Sequence, residues 1–224
     1  PVFRDFELQV DEEKYFYPAS TTKLPIIVLT LDKINELRAK GIEITPKSKI
    51  LISSTHEGNN QVQKDSITSF QNLIADVFLV SDNSASNVLI DFIGYNKFNA
   101  KMEQAGFKNT YLNHKFNPDP HVNINWQIKT LKNELISSNE NQIIITADQK
   151  TLRLKKGKKK FQDGIVINGS LDFSQKNRSS IIDMHNILKR IILPLKFDKD
   201  KTFNLNVEDY DFLRYWMSRF TYED

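Results

Sequence analysis

The segment that most constrains this chain is an apolar run that begins after Pro18 and ends at Gly41. Between Leu24 and Leu31, apolar residues cover every side of a helix, which predicts a helix buried all round. Gly41 is a suitable residue to end it. We therefore expect the other elements to pack around this helix as a scaffold.

Two polar residues, Ser20 and Lys23, lie three positions apart at the start of this helix and share one face. A serine hydroxyl attacks poorly unless a base removes its proton, and a lysine whose pKa is lowered by burial can be that base. The helix N-terminus adds backbone N–H groups where an oxyanion would develop. The structural alternative makes Ser20 an N-cap and Lys23 an ordinary first-turn lysine.

A second motif, Ser81-Asp82-Asn83, breaks the chain between two apolar helical segments. In order, spacing and helical context, this motif and Ser20-x-x-Lys23 resemble those of the penicillin-recognising serine hydrolases, in particular class A β-lactamases and D-alanyl peptidases. The similarity continues beyond the two motifs and covers most of the chain.

The resemblance implies a role for each motif residue. Ser20 would be the nucleophile that accepts the acyl group, and Lys23 its base. Ser81 would pass a proton to the leaving nitrogen, and Asn83 would hydrogen-bond the substrate amide and help to hold Lys23. Asp82 would be structural, capping neighbouring backbone groups.

The resemblance also implies an α+β fold of the β-lactamase/transpeptidase type. In that fold, an antiparallel sheet is flanked by helices, and the cleft lies between the sheet and an all-helical subdomain. We expect residues 1–19 to supply a sheet strand and residues 20–122 to form the helical subdomain with both motifs. Residues 123–177 would form an inserted β-hairpin unit, and residues 178–224 would be helices that return towards the sheet.

Within the inserted unit, residues 142–146, 151–154 and 161–168 are predicted as short strands, and the basic run 155–160 as a turn. The run could meet anionic cell-wall polymer or lipid headgroups. The alternative, which we favour from sequence, is a solvated turn whose charges keep an exposed edge from pairing.

Several local signals complete the prediction. Ser66 is expected to cap the helix before the second motif, and residues 55–60 to form a polar loop. Ser180 is expected to cap a helix that Pro194 stops. Residues 207–220 should form a late helix.

The loop after the second motif departs from the family pattern. In class A enzymes it carries a glutamate, between an aromatic residue and a proline, that activates water for deacylation. Here the run is Phe116-Asn117-Pro118, with Asn117 in that position. An amide cannot act as a general base, although Asp119 nearby could substitute. We therefore expect acylation without rapid deacylation.

The family's third motif, a lysine, a hydroxyl or small residue and a glycine on a late strand, is not found where it should follow the late helix. Lys129-Thr130-Leu131 lacks the glycine and lies too early. We expect the natural chain to continue past Asp224 into the missing strand; the alternative is a partner chain that completes the sheet.

Composition narrows the remaining classes of function. The 224 residues contain no cysteine, so disulfides and thiolate metal sites are excluded. A net charge of +3 gives no argument for nucleic acid, and no segment is long and apolar enough to cross a membrane. No metal or cofactor is implied. The expected substrates are β-lactams or peptidoglycan peptides, with action outside the cytoplasm by family resemblance. The alternatives are a D-alanyl-D-alanine peptidase and a non-catalytic wall-binding domain.

Overall fold

The computed structural model describes residues 6, 8, 11, 17–56, 59–62, 66–116, 124–137, 155–162, 164–198 and 202–220. In chain order its elements are a 3-10 turn Ala19–Thr22, α1 Lys23–Ala39, β1 Lys49–His56, β2 Asn59–Val62, β3 Ser66–Ser69, α2 Phe70–Val80, α3 Asn83–Ile93, α4 Tyr95–Gln104, β4 Ile124–Thr130, β5 Lys155–Lys156, β6 Lys159–Gln162, β7 Ile165–Asn168, β8 Leu171–Asp172, α5 Ile181–Ile192, a 3-10 turn Pro194–Lys196 and α6 Val207–Met217. The described strand pairs are antiparallel. Together with the helices, they confirm the predicted α+β class.

Helix α1 is the centre of the packing, as its sequence predicts. Ten successive residues, Pro25 to Ile34, are buried. The helix ends at Ala39, and Gly41 follows with a φ of +87°, a left-handed conformation that glycine adopts without steric cost. A polar side chain of α1 is also hydrogen-bonded inside the fold. Asp32 accepts from Lys101 Nζ at 2.8 Å and from the backbone N–H of Asn204 at 2.9 Å.

A small antiparallel sheet lies beside these helices. β4 pairs along one edge of β1, from Ile50 opposite Thr130 to His56 opposite Ile124. On the other edge of β1, β3 pairs with Lys49–Ile52, and β2 pairs with Thr55 and His56. Ile50, Ile52 and Ile128 join the apolar core. The predicted division of the chain into four parts, with boundaries after residues 19, 122 and 177, stays a prediction.

Two local predictions before α2 are wrong. Ser66 begins β3 instead of capping a helix, and Ser69 is the N-cap of α2, accepting from the Asn72 backbone. Residues Ser66 to Ser69 pair with β1, and this strand pairing outweighs the helix-capping preference of Ser66. Residues 55–60 are likewise not only a loop, because β1 extends to His56 and β2 begins at Asn59.

In the basic region, the strands lie at other positions than predicted. Residues 161–168 are not one strand but parts of β6 and β7, separated at Gly164 with a φ of +81°. The run 155–160 is mostly strand rather than turn. The predicted strands at 142–146 and 151–154 lie outside the described residues. The helix capped by Ser180 is confirmed as α5.

Candidate active site

Ser20 lies in the short 3-10 turn that leads into α1. The residue before it, Ala19, has a φ of +46°, a left-handed conformation that is uncommon for a residue other than glycine. The backbone N–H of Thr21 donates to the carbonyl of Pro18 at 3.0 Å and closes the turn. This tight turn leaves Ser20 exposed, so its hydroxyl is open to a ligand from solvent.

Lys23 points away from solvent into a polar pocket. Only 3% of the residue is exposed. Its Nζ lies 2.7 Å from Asn83 Oδ1 and 3.1 Å from Ser81 Oγ, and it also donates to the backbone carbonyl of Ser81. The ring of Phe116 covers another side, with its centroid 5.0 Å from Nζ.

Two opposing effects act on the pKa of Lys23. Burial lowers the pKa of Lys23, and the carboxylate of Asp82 opposes part of that shift. The carbonyl of Ser81 and the amide oxygen of Asn83 can only accept, so Nζ is the donor to both. The hydroxyl oxygen of Ser81 also accepts from Nζ. Three acceptors therefore hold the amine of Lys23 in one position.

Helix termini bring Ser81 and Asn83 to this point. Ser81 ends α2 with a φ of +54°, and this left-handed residue turns the chain sharply. Asp82 then caps α3, accepting from the Ala85 backbone at 2.6 Å. Asn83 is the first residue of α3. The end of α2 and the beginning of α3 therefore place Ser81 and Asn83 next to Lys23.

One face of α3 continues the polar contacts. Asn83, Asn87 and Asp91 recur every four residues, which places them on one side of the helix. Asn87 Oδ1 accepts from the Phe116 backbone at 2.8 Å. Asp91 Oδ2 accepts from Lys115 Nζ and from the Trp126 backbone, both at 2.7 Å. This face therefore positions both Lys23 and the segment that covers it.

The segment before Phe116 is also held from the side of α5. Asp183 accepts from the Asn109 backbone and from the Thr110 hydroxyl, each at 3.0 Å. Asn177, which is almost fully buried, accepts from the backbone N–H groups of Asn113 and His114 at 2.7 and 3.0 Å. Phe116 thus sits at the end of a segment anchored on both sides.

The structure brings three predicted site residues together: Lys23, Ser81 and Asn83. Ser20 lies at the same end of α1, but no hydrogen bond joins its hydroxyl to Lys23 among the described contacts. Such contacts often tighten only when substrate binds. Asn117 lies outside the described residues. The catalytic roles of all these residues stay predictions.

Sequence reasoning missed the residues that hold the site. Asn87 and Asp91 are polar positions at helical spacing, and the residues between them in α3 are all apolar, so that pattern was available as a signal. The pairing of Asp91 with Lys115 had no local signal, because the two residues are 24 positions apart. The described residues include no group of three or more His, Cys, Asp or Glu side chains placed to hold a metal ion. Within the same residues, no helix is long and apolar enough to cross a membrane.

A family model described as the Beta-lactamase enzyme family matches residues 4–202. That match covers most of the 224 residues, including all of those in the pocket around Lys23. No curated protein matches the chain.

Proposed function

Because the chain belongs to the β-lactamase enzyme family, we propose that it is a serine hydrolase that forms an acyl-enzyme through Ser20. Its substrates would be β-lactams or related amides such as D-Ala-D-Ala peptides. One observation carries the proposal: a buried lysine with a lowered pKa lies three residues after an exposed serine and contacts Ser81 and Asn83. By resemblance to the family, it acts outside the cytoplasm.

The residues divide the acylation step between them. Ser20 Oγ attacks the carbonyl carbon of the amide as its proton passes to the lone pair of Lys23. Ser81, 3.1 Å from Lys23 Nζ, then relays that proton to the amide nitrogen as the C–N bond breaks. Asn83 holds Lys23 and has an amide N–H₂ group with which to bind the substrate. The product is an ester between Ser20 and the acyl group.

Deacylation needs a base that activates water, and Asn117 cannot supply one. We therefore propose a long-lived acyl-enzyme. With β-lactams, this makes the protein closer to a penicillin-binding protein than to an efficient β-lactamase. The acyl-enzyme of a D-Ala peptide would form with release of the terminal D-alanine.

Mass spectrometry of the intact protein, before and after incubation with benzylpenicillin, tests the proposal. Because the amide nitrogen of a β-lactam stays tethered to the acyl group, acylation adds the whole mass of the drug. We expect one adduct, mapped to Ser20 by peptide digestion. Ser20→Ala should abolish it, whereas Ser84→Ala, at an exposed serine beside the second motif, should leave it intact.

The rate of adduct loss separates the candidate activities. Adduct persisting for hours supports a penicillin-binding protein, and release of D-alanine from an acyl-D-Ala-D-Ala peptide would identify a peptidase. Rapid hydrolysis of many drug equivalents would contradict the deacylation argument. A folded protein that reacts with neither benzylpenicillin nor a D-Ala thioester would contradict the proposed function and favour a non-catalytic wall-binding domain.

A further inference from the structure

A two-stranded ribbon, formed by residues 155–172, carries an unusual combination of side chains. β5 pairs with β8 and β6 with β7, and the backbone of Gly169 donates to the carbonyl of Lys158 at 2.9 Å between the two pairs. Isolated two-stranded ribbons are marginally stable in water. An exposed ribbon is therefore expected to gain stability from a partner.

The end of the ribbon is apolar and uncovered. Phe161, Ile165 and Val166, which flank the turn at Gly164, are 74%, 60% and 65% exposed. Phe161 lies opposite Val166 in the register, so the two share one face, and Ile165 projects from the other face. A folded protein docked against the ribbon would cover one face and leave the other in water. A medium that surrounds the end of the ribbon covers both.

Lysines follow directly behind this apolar end. The ribbon contains five, at positions 155, 156, 158, 159 and 160, against two aspartates at 163 and 172. Strand residues are spaced about 3.3 Å apart, so these lysines lie within about 20 Å of Phe161 along the strand. In a bilayer, apolar side chains enter the acyl boundary by about 5–10 Å while lysines stay at headgroup depth.

We propose that this ribbon is a docking element for anionic lipid bilayers, with Phe161, Ile165 and Val166 inserted and the lysines among the headgroups. A solvated ribbon protected by charge would account for the lysines, but it would not account for three exposed apolar side chains at the end. An anionic polysaccharide would pair with the lysines and leave the apolar end in water. An anionic bilayer uses both features.

The base of the ribbon lies close to the candidate active site. Phe173, directly after β8, contacts Tyr17, with the two ring centroids 5.6 Å apart. Tyr17 is three residues before Ser20. A docked ribbon would therefore hold the mouth of the site at a limited distance from the bilayer. The docking proposal itself does not depend on any activity of Ser20.

Vesicle flotation tests the binding. We expect the protein to float with vesicles of phosphatidylcholine and phosphatidylglycerol, and not with phosphatidylcholine alone. Each lysine near an anionic surface strengthens partitioning by about five-fold, so replacing Lys158, Lys159 and Lys160 with Gln should weaken binding by about one hundred-fold. Replacing Phe161 and Val166 with Thr, which retains strand propensity, should weaken it by at least about ten-fold. Thermal denaturation checks that each variant folds.

A fluorescent label tests insertion directly. Because the chain has no cysteine, Phe161→Cys can carry a single environment-sensitive dye. We expect a blue shift with anionic vesicles and quenching by spin-labelled lipid. A dye on Leu195→Cys, which replaces an exposed apolar residue on the turn after α5, should show neither.

Three results would overturn the proposal. The first is failure of the wild-type protein to float with anionic vesicles. The second is binding that Phe161→Thr/Val166→Thr leaves unchanged, because the lysines would then act alone. The third is equally tight binding to a soluble anionic polymer, without a blue shift at position 161, which would identify a polymer-binding surface instead.

Discussion

Separating the buried ion pair of Asp91 and Lys115 should destabilise this protein far more than separating an exposed pair. The carboxylate and the ammonium are 2.7 Å apart, and their side chains are 13% and 5% exposed. Lys115 Nζ also donates to the carbonyl of Ile124 and to the side-chain oxygen of Asn125, so its three N–H groups are all used. Replacing either charge leaves the other in the interior.

The size of the loss follows from that burial. Removing one partner of a buried pair costs about 3–5 kcal/mol, because the remaining charge is uncompensated. For a chain of this length, each kcal/mol lowers Tm by about 2–4 °C, so Asp91→Asn and Lys115→Met should each lower Tm by about 6–20 °C. Asn at position 91 retains an acceptor for the Trp126 backbone, so that variant mainly removes the charge.

Urea denaturation of the two single variants and the double variant measures the coupling. We expect the double variant to be more stable than the sum of the single losses predicts, by about 2 kcal/mol or more, since it removes both charges. Lys132→Met is the matched control, because Lys132 and Glu43 form an exposed ion pair, with side chains 73% and 85% exposed. That variant should leave the denaturation midpoint unchanged.

The same variants bear on the site, because Lys115 immediately precedes Phe116, whose ring covers Lys23. Acylation of Ser20 by benzylpenicillin should slow in Asp91→Asn under conditions in which the variant is still folded. Single losses below about 1 kcal/mol that simply add in the double variant would refute the reasoning, since exposed pairs behave in that way.

Two further predictions concern the second motif. Ser81→Gly and Ser81→Ala both remove the hydroxyl, and each should slow acylation by about 10²–10⁴-fold. Ser81→Gly should nevertheless be more stable than Ser81→Ala by about 1 kcal/mol in urea denaturation, because the φ of +54° suits glycine; equal stability would contradict a strained helix end. Asp82→Asn keeps the cap of α3 but removes the charge that opposes the lowered pKa of Lys23, so the rising limb of the pH–acylation profile should move to lower pH. Asp82→Ala should show the same shift and also lose about 1 kcal/mol with the cap; a limb that moves to higher pH in either variant would show that Lys23 is not the base.

The lowered pKa of Lys23 also has a thermodynamic sign. Between its folded pKa and the unfolded value of about 10.4, the unfolded chain binds more protons than the folded one. The contribution of Lys23 to stability therefore rises with pH across that window, and Asp82→Asn should extend the window downwards.

The local parts of the fold were predictable from sequence because local forces decide them. An apolar surface on every side required α1 to be buried, and Ser180 and Pro194 mark the beginning and end of α5 as capping and proline chemistry require. Ser66 was misassigned because pairing with β1 outweighed a capping signal. The split of residues 161–168 at Gly164 was missed although Asp163-Gly164 is a typical hairpin-turn dipeptide, because the apolar residues around it were interpreted as one strand.

The candidate site was predictable only in part. The two motifs predicted that Lys23, Ser81 and Asn83 would meet, and the structure brings them together. The ring of Phe116 over Lys23 and the pair of Asp91 with Lys115 arise from tertiary packing, for which the sequence has no periodic signal. The exposure of the apolar end of the ribbon could not be predicted, because an exposed Phe161 and a buried one look alike in sequence.

The burial of Lys23 at the start of α1 has a practical consequence. Water is excluded from the Lys23 side chain only while α2, α3 and the segment ending at Phe116 are all packed around it. In a chain that has lost this packing, water reaches the lysine and its pKa returns towards the usual value. If Lys23 is the base, as we propose, such a chain should no longer deprotonate Ser20. The fraction of chains that carry a covalent label on Ser20 would therefore report the fraction that is folded. It could serve as a folding sensor in crude lysate, where spectroscopic measurement of unfolding fails.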